Sequence, residues 1–234
     1  MSELRMMATT GMLGYGYTEE AFRRGMSLKP DFIAADGGSM DPGPYYLGEG
    51  VPFVSRQAIK RDLGLMLEAG IENGIPVLIG SAGGGGSDPQ VALVREVTEE
   101  IAREKGLKFR LAIIHAEQSK EYLKKKRAEG LIRPLGPIAE LTDENIDETH
   151  RVVGMMGVEP FQKALEDGAQ VVIAGRATDA SIYSAIPLMR GYDPGLVWHL
   201  AKIIECAGQV TTPRPGQDCV LGTLGDDYFL VEPG

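Results

Sequence analysis

Three side chains that follow apolar runs could move protons. His115 and Glu117 come after the run at 109–114, and Asp36 comes after the run at 32–35. Imidazole titrates near neutral pH, and a carboxyl group can serve as acid or base, so we predict these three residues as catalytic. The alternative is structural: a histidine bonded to a backbone carbonyl, and an Asp-Gly pair that forms a turn.

A guanidinium group follows the apolar run at 171–174. Arg176 presents a planar set of donors that suits a substrate carboxylate or phosphate. Thr178 and Asp179 lie close behind it, and we predict all three as substrate- or anion-binding residues. For Asp179 the favoured role is the N-cap of a helix at 180–188.

Glycine is enriched, with 31 residues in a chain of 234 against a usual fraction of about 7%. Four consecutive glycines at 83–86 let the backbone approach a ligand and point N–H groups into a concave nest. The loop at 83–86 is not a Walker motif, because no lysine follows its glycines. Neither this loop nor the loop at 9–17 is a GxGxxG motif, because Asp88 and Glu19 stand where a third glycine belongs. The alternative is a flexible surface turn. The predicted anion- or substrate-binding positions in these and the neighbouring loops are Gly11, Gly14, Ser39, Ser81, Gly83, Gly84 and Gly85.

Aspartates in the same loops are candidate metal ligands. Asp36, Asp41 and Asp88 offer the oxygen donors that Mg²⁺ prefers, so a magnesium-dependent enzyme acting on a phosphorylated substrate is an alternative hypothesis. The two cysteines have no zinc-type spacing, and the three histidines form neither HxxxH nor HExxH. The cofactor is otherwise left open.

The elements that must position these residues repeat as strand, polar loop and helix. Five such units predict an α/β fold with a mostly parallel sheet and helices on both faces, Rossmann-like and doubly wound. Ligands of such sheets bind at the carboxyl ends of the strands, where the five loops lie. We expect one domain at 1–208 and a C-terminal segment at 209–234 that starts a further region, with a strand at 228–231 that has no visible partner. Helices are expected at 142–153 and 159–167.

Composition excludes several classes of protein. Acidic residues outnumber basic ones by 33 to 24, which gives a net charge of −9, so we expect no nucleic-acid partner. No apolar stretch reaches the ~18 residues of a membrane span, and no secretory segment is visible. We therefore expect a cytoplasmic protein without a membrane partner.

Seven strings of the chain are distinctive together: Thr9–Gly16, Asp36–Ser39, Asp41–Gly48, Gly80–Gly84, Ile114–Gln118, Gly154–Phe161 and Ala174–Asp179. They resemble the acyclic terpene utilisation AtuA-like family. The resemblance covers nearly the whole chain and implies a role in the bacterial degradation of acyclic terpenes and other branched carboxylic acids through coenzyme A thioesters. It implies no established reaction, and it implies that this chain is the N-terminal portion of a longer polypeptide.

These observations predict an enzyme of branched carboxylate or terpenoid acyl-CoA catabolism, of the lyase or hydratase type. Its substrate would be a small carboxylate or a coenzyme A thioester. Besides the magnesium-dependent enzyme, the remaining alternative is a non-catalytic subunit or binding module. We also expect a homo-oligomer or a subunit of a larger assembly.

Overall fold

The computed structural model describes residues 2–38, 42–212 and 218–234. The strands are β1 (Leu4–Ala8), β2 (Phe32–Asp36), β3 (Val77–Gly80), β4 (Leu111–Ile114), β5 (Val171–Ala174), β6 (Val220–Leu224) and β7 (Phe229–Pro233). The helices are α1 (Glu19–Ser27), α2 (Tyr45–Glu49), α3 (Arg56–Asn73), α4 (Asp88–Lys105), α5 (Lys120–Ala128), α6 (Asp143–Glu148), α7 (Glu159–Glu166), α8 (Ser181–Met189), α9 (Pro194–Ile204) and a 3₁₀ helix at Ala207–Val210. The strand order is β4-β5-β3-β2-β1-β6-β7, and β1 to β5 are parallel.

Helix ends follow the local sequence. The hydroxyls of Thr18, Ser55 and Thr142 each accept a hydrogen bond from a first-turn N–H, and α3 ends at Gly74 in the left-handed region, at φ 67°. The predicted helix at 142–153 is wrong in length, because the backbone turns extended at Thr149 after α6. Within the described ranges, no helix is long and apolar enough to cross a lipid bilayer.

The sheet is covered on both faces, as the sequence predicts. Helices α1, α3 and α4 pack on one face through one apolar cluster, and α7, α8 and α9 pack on the other face through a second cluster. The strands between them alternate their side chains into the two clusters. The α/β prediction with helices on both faces is confirmed.

The C-terminal segment adds two strands to this same sheet. Strand β6 runs antiparallel to β1, and β7 runs antiparallel to β6. The strand expected at 228–231 therefore has a partner at Val220–Leu224. The sequence analysis missed this partner because a glycine and a threonine interrupt its apolar run. The turn expected at 213–216 lies outside the described residues.

Strand β4 forms an edge of the sheet. Its four apolar residues are only partly buried, and a cavity of about 510 Å³ lies between β4 and α7. A second cavity, of about 470 Å³, lies where the start of β4 meets the end of α4. This edge leaves apolar surface uncovered in the single chain.

Candidate functional site

The strand-end loops meet where the connections after two neighbouring parallel strands leave toward opposite faces of the sheet. Strands β3 and β5 are neighbours, but the loop after β3 leads to α4 on one face and the loop after β5 leads to α8 on the other. Such a divergence opens a crevice at the carboxyl ends of the strands. At this position the Ser81 hydroxyl donates to the Ala177 carbonyl oxygen at 3.2 Å. We call the region around Asp36, Ser81 and Arg176, at the ends of β2, β3 and β5, the crevice.

Several of the loop glycines are explained by contact between loops. A Cβ at Gly38 would lie 2.1 Å from the Cα of Gly84, and one at Gly86 would lie 2.2 Å from the backbone nitrogen of Arg176. A Cβ at Gly37 would lie 2.5 Å from the carbonyl oxygen of Gly80. The glycines thus let three backbone segments touch directly.

The glycines predicted to bind an anion have protein neighbours of their own. A Cβ at Gly83 would meet Gln90 at 2.7 Å, and one at Gly85 would meet both Gln90 and Leu47 at 3.0 Å. The buried Gln90 amide also donates to the Gly83 carbonyl oxygen at 3.1 Å and accepts from the backbone N–H of Ser87 at 3.0 Å. Gln90, which the sequence analysis missed, holds the glycine loop in place.

Asp36 is a buried carboxyl at the end of β2. Only 5% of the residue is exposed, and its Oδ1 has no hydrogen-bond partner among the described residues. Burial raises the pKa of Asp36 well above its usual range, and the negative charges of Asp179 and Glu205 raise it further. The charge of Arg176 and a backbone hydrogen bond from Gly38 act in the opposite direction. The arrangement favours a protonated carboxyl group whose Oδ1 makes no hydrogen bond to the described residues.

Arg176 lies beside this carboxyl in the loop after β5. Its side chain is 16% exposed, its Nη1 donates to the Ser81 hydroxyl at 3.4 Å, and its Nη2 lies 3.9 Å from Oδ1 of Asp179. Both contacts are long, so the described protein groups do not saturate the donors of the guanidinium. Ser81 itself has φ +43°, a left-handed conformation that is uncommon for a serine and concentrates at functional positions.

The prediction that Asp179 caps the following helix is wrong. The N-cap of α8 is Ala180, which makes no side-chain cap hydrogen bond. The Thr178 carbonyl oxygen instead accepts from the Ser181 N–H at 2.8 Å, and the Thr178 hydroxyl contacts the Ser181 hydroxyl. Asp179 is thereby left to face Arg176, and its charge acts on Asp36.

Glu205 is a residue of this crevice that the sequence analysis missed. It lies at the end of α9, is 6% exposed, and forms an ion pair with Lys202. Burial raises the pKa of Glu205, and the hydrogen bond from Lys202 lowers it. In the sequence, Glu205 is a single acidic residue directly after the apolar residues that end at Ile204. An exposed acidic residue is common at such a position, so nothing in the sequence gives a reason to select it.

His115 and Glu117 lie in a second, more exposed cluster at the start of α4. Nδ1 of His115 lies 2.8 Å from Oδ1 of Asp88, and 63% of the histidine side chain is exposed. Both oxygens of Glu117 are engaged: Oε1 accepts from Arg151 at 2.8 Å and Oε2 accepts from the Asp88 N–H at 2.9 Å. The aspartate can orient the imidazole, while the glutamate positions the loop.

The second cluster is joined to the crevice through the backbone. A Cβ at Gly175 would lie 2.6 Å from the Cβ of Ala116 and 2.7 Å from the carbonyl oxygen of Gly86. Arg176, whose guanidinium lies in the crevice, is the next residue after Gly175. His115 and the crevice therefore share one edge of the sheet.

The first glycine loop is held by a carboxylate of the chain itself. Oδ2 of Asp62, a fully buried residue on α3, accepts from the N–H of Gly14 at 2.8 Å and of Gly16 at 3.0 Å. Gly11 lies nearby in a partly exposed bend. The N–H group predicted at Gly14 to bind a ligand anion is thus bonded to Asp62, which the sequence analysis missed.

The sequence also matches a known protein family. The sequence model described as "Acyclic terpene utilisation family protein AtuA" matches residues 56–214. The chain belongs to the AtuA family. The match contains Ser81, His115 and Arg176, whereas Asp36 precedes the matched range. No curated protein and no solved structure matches the chain.

The metal candidates of this AtuA family member are not brought together in a ligand set. Within residues 2–38, 42–212 and 218–234, no group of three or more His, Cys, Asp or Glu side chains is arranged to hold a metal ion. Asp36 lies in the crevice and Asp88 pairs with His115. Asp41 and the predicted anion-binding residue Ser39 lie outside the described residues.

Proposed function

We propose that this AtuA family member is an enzyme of branched or acyclic acyl-CoA catabolism that adds water to, or removes it from, an unsaturated thioester. The observation that carries the proposal is the buried Asp36 carboxyl near Arg176, whose Oδ1 has no hydrogen-bond partner among the described residues. A carboxyl group kept neutral in a protein interior can donate a proton during catalysis. Family membership supplies the acyclic terpene context.

The substrate class follows from the charges of the crevice. Among the described residues, the contacts that Arg176 makes with Ser81 and Asp179 are long, which supports its guanidinium as a ligand for a carboxylate on the acyl chain. A neutral Asp36 adds no repulsion to such a substrate, whereas Asp179 competes with it for the guanidinium. We therefore propose a branched unsaturated thioester with a free carboxylate as the substrate class.

His115 has a separate role in the proposal. Its imidazole is oriented by Asp88 and largely exposed, so it is suited to exchanging protons between the site and solvent. Glu117 fixes the surrounding loop through Arg151 and the Asp88 N–H. The coenzyme A portion would extend along the same edge of the sheet.

A turnover assay tests the proposal. Methylglutaconyl-CoA carries a branched unsaturated thioester and a carboxylate, and its hydration removes the ultraviolet absorbance of the conjugated enoyl group. We expect turnover by the wild type, a loss of about 10²- to 10⁴-fold in kcat for Asp36→Asn, and wild-type turnover for the exposed control Asp227→Asn. Equal turnover by Asp36→Asn and wild type would overturn the role of Asp36.

The expected homo-oligomer is also a proposal, and the β4 edge is the surface that supports it best. The residues of β4, Leu111 to Ile114, are only partly buried along this edge. Pairing with β4 of a second copy would cover the apolar edge. We expect a dimer in sedimentation analysis that Ile113→Lys dissociates, and a monomeric wild type would contradict this.

A further inference from the structure

Glu205 is a second buried carboxyl group whose hydrogen-bonding capacity is only half used. Its Oε1 accepts from Lys202, but its Oε2 is buried without a hydrogen-bond partner among the described residues. An oxygen in this state costs free energy unless something occupies it, so such atoms need an explanation. Asp36 Oδ1 is in the same state. Two free carboxyl oxygens in one region indicate a site rather than a packing accident.

Asp36 and Glu205 lie at the same end of the sheet. Asp36 ends β2, and the residues after Glu205 are hydrogen-bonded to Asp218, just before Val220, which pairs with Ala8 at the end of β1.

The charges around the two carboxyl groups are consistent with this placement. The charge of Glu205 raises the pKa of Asp36, and the charge of Asp179 raises the pKa of both residues. The phenol of Tyr183, which donates to the Ala34 carbonyl oxygen at 3.2 Å, is also affected by both Asp36 and Glu205. The titratable or charged groups around the pair are Asp179 and Arg176 from the loop after β5, Tyr183 from α8, and Lys202 and Cys206 at the end of α9.

The two carboxyl groups differ in what compensates them. Glu205 has a cation in direct contact, because Lys202 is both its hydrogen-bond donor and its ion-pair partner. Asp36 has only the more distant charge of Arg176 and one backbone hydrogen bond from Gly38. The ionised form is therefore better supported at Glu205 and the protonated form at Asp36, and an acid and a base need this difference.

The chain turns sharply just after Glu205. Ala207 has φ +49°, a left-handed conformation that an alanine adopts at a cost, and it is fully buried. The next residue, Gly208, donates its N–H to the Asp218 carbonyl oxygen at 2.7 Å. The end of α9 is thus tied to the residues that precede β6.

We propose that Glu205 is the proton acceptor that works opposite Asp36 in the crevice. The proposal rests on the proposed hydration function and deepens it. Addition of water breaks one O–H bond of water and the carbon–carbon π bond, and forms one C–O and one C–H bond. Glu205 takes the proton of the water molecule, and Asp36 donates the proton that the adjacent carbon receives. One proton returned from Glu205 to Asp36, directly or through solvent, restores both groups.

The coupling of the pair can be measured without any substrate. Carboxyl ¹³C NMR titration of Asp36 is compared between the wild type and Glu205→Gln, with the exposed Glu72→Gln as the matched control. Removing the charge of Glu205 is expected to lower the pKa of Asp36 by about one unit, while Glu72→Gln leaves it unchanged. An unchanged pKa in Glu205→Gln would overturn the proposal, because the two groups would not share a space.

The role of Glu205 as an acceptor is tested by turnover of methylglutaconyl-CoA. For Glu205→Gln we expect kcat to fall by about 10²- to 10⁴-fold with KM little changed, and the acidic limb of the pH profile to disappear. Lys202→Met should keep activity but move that limb to higher pH, because Lys202 lowers the pKa of Glu205. Wild-type kcat and pH profile in Glu205→Gln would refute the acceptor role.

The two measurements separate the two proposals. If Glu205→Gln changes the pKa of Asp36 but the wild type does not hydrate the probe, the hydration function fails and, with it, the acceptor role. If the wild type hydrates the probe and Asp36→Asn does not, but Glu205→Gln is unaffected, only the Glu205 proposal fails.

Discussion

The Asp36 carboxyl lies over Gly80, its partner across β2 and β3. A Cβ at residue 80 would lie 3.5 Å from Oδ1 of Asp36 and 3.0 Å from Cγ2 of Ile182. The glycine therefore leaves room between the carboxyl group and α8. This relationship explains a glycine at the end of a buried strand, where glycine otherwise weakens a sheet.

Gly80→Ala tests this relationship. The added methyl group is tight against Ile182 and adjoins Asp36, so we expect a loss of about 1–3 kcal/mol in the free energy of unfolding and reduced turnover of methylglutaconyl-CoA. Gly48→Ala is the matched control, because a Cβ there meets nothing within 4 Å and the residue lies inside α2. Urea denaturation measures both variants. Equal stability of Gly80→Ala and wild type would show that the space is not limiting.

Asp36→Asn is expected to stabilise the protein in a pH-dependent way. The native pKa of Asp36 is raised above that of the unfolded chain, so the wild type loses stability as pH rises through the interval between the two pKa values. Asparagine does not titrate. The stability gain of the variant should be absent below about pH 4 and grow above it, by about 1.4 kcal/mol for each unit of the raised pKa.

The same variant should lose activity, so that stability and function change in opposite directions. Thermal or urea unfolding at several pH values measures the first effect. A variant less stable than the wild type at neutral pH, or a stability difference that does not depend on pH, would contradict a protonated Asp36.

Arg176→Met tests the guanidinium as a carboxylate ligand. A charge-assisted hydrogen bond contributes about 1.5–3 kcal/mol, so KM for methylglutaconyl-CoA should rise at least about tenfold. Methylcrotonyl-CoA, which lacks the second carboxylate, serves as the control substrate, and its KM should change little. A similar KM change for both thioesters would assign Arg176 a structural role.

His115→Ala tests proton exchange at the exposed cluster. We expect the variant to bind methylglutaconyl-CoA normally but to turn it over at least about tenfold more slowly, with partial rescue by imidazole buffer. Asp88→Asn should have a smaller effect, because it removes the orienting partner but keeps the ring. Wild-type activity in His115→Ala would remove this residue from the proposal.

The sequence predicted the fold better than the site. The five parallel strands follow from local pattern, because each is a short apolar run that ends in a polar loop. The pairing of β6 with β1 joins residues more than 200 positions apart, and no local pattern encodes it.

The site shows the same limit. Asp36 and Arg176 were found because Asp36 ends β2 and Arg176 lies two residues after the end of β5. Glu205 was missed because it reaches the crevice from the end of α9, a placement that only the packing of that helix determines. Asp62 and Gln90 were missed for a related reason, since each is a polar residue inside a helix whose partners lie in distant loops.

The most direct test of the account is the titration of the Asp36 carboxyl group itself. Carboxyl ¹³C NMR on the wild type, with Asp36→Asn to assign the resonance, gives the pKa without a substrate. We predict a midpoint well above the ordinary aspartate value of about 3.9, because the group is buried beside Asp179 and Glu205. A midpoint at or below the ordinary value would contradict a proton donor at this position.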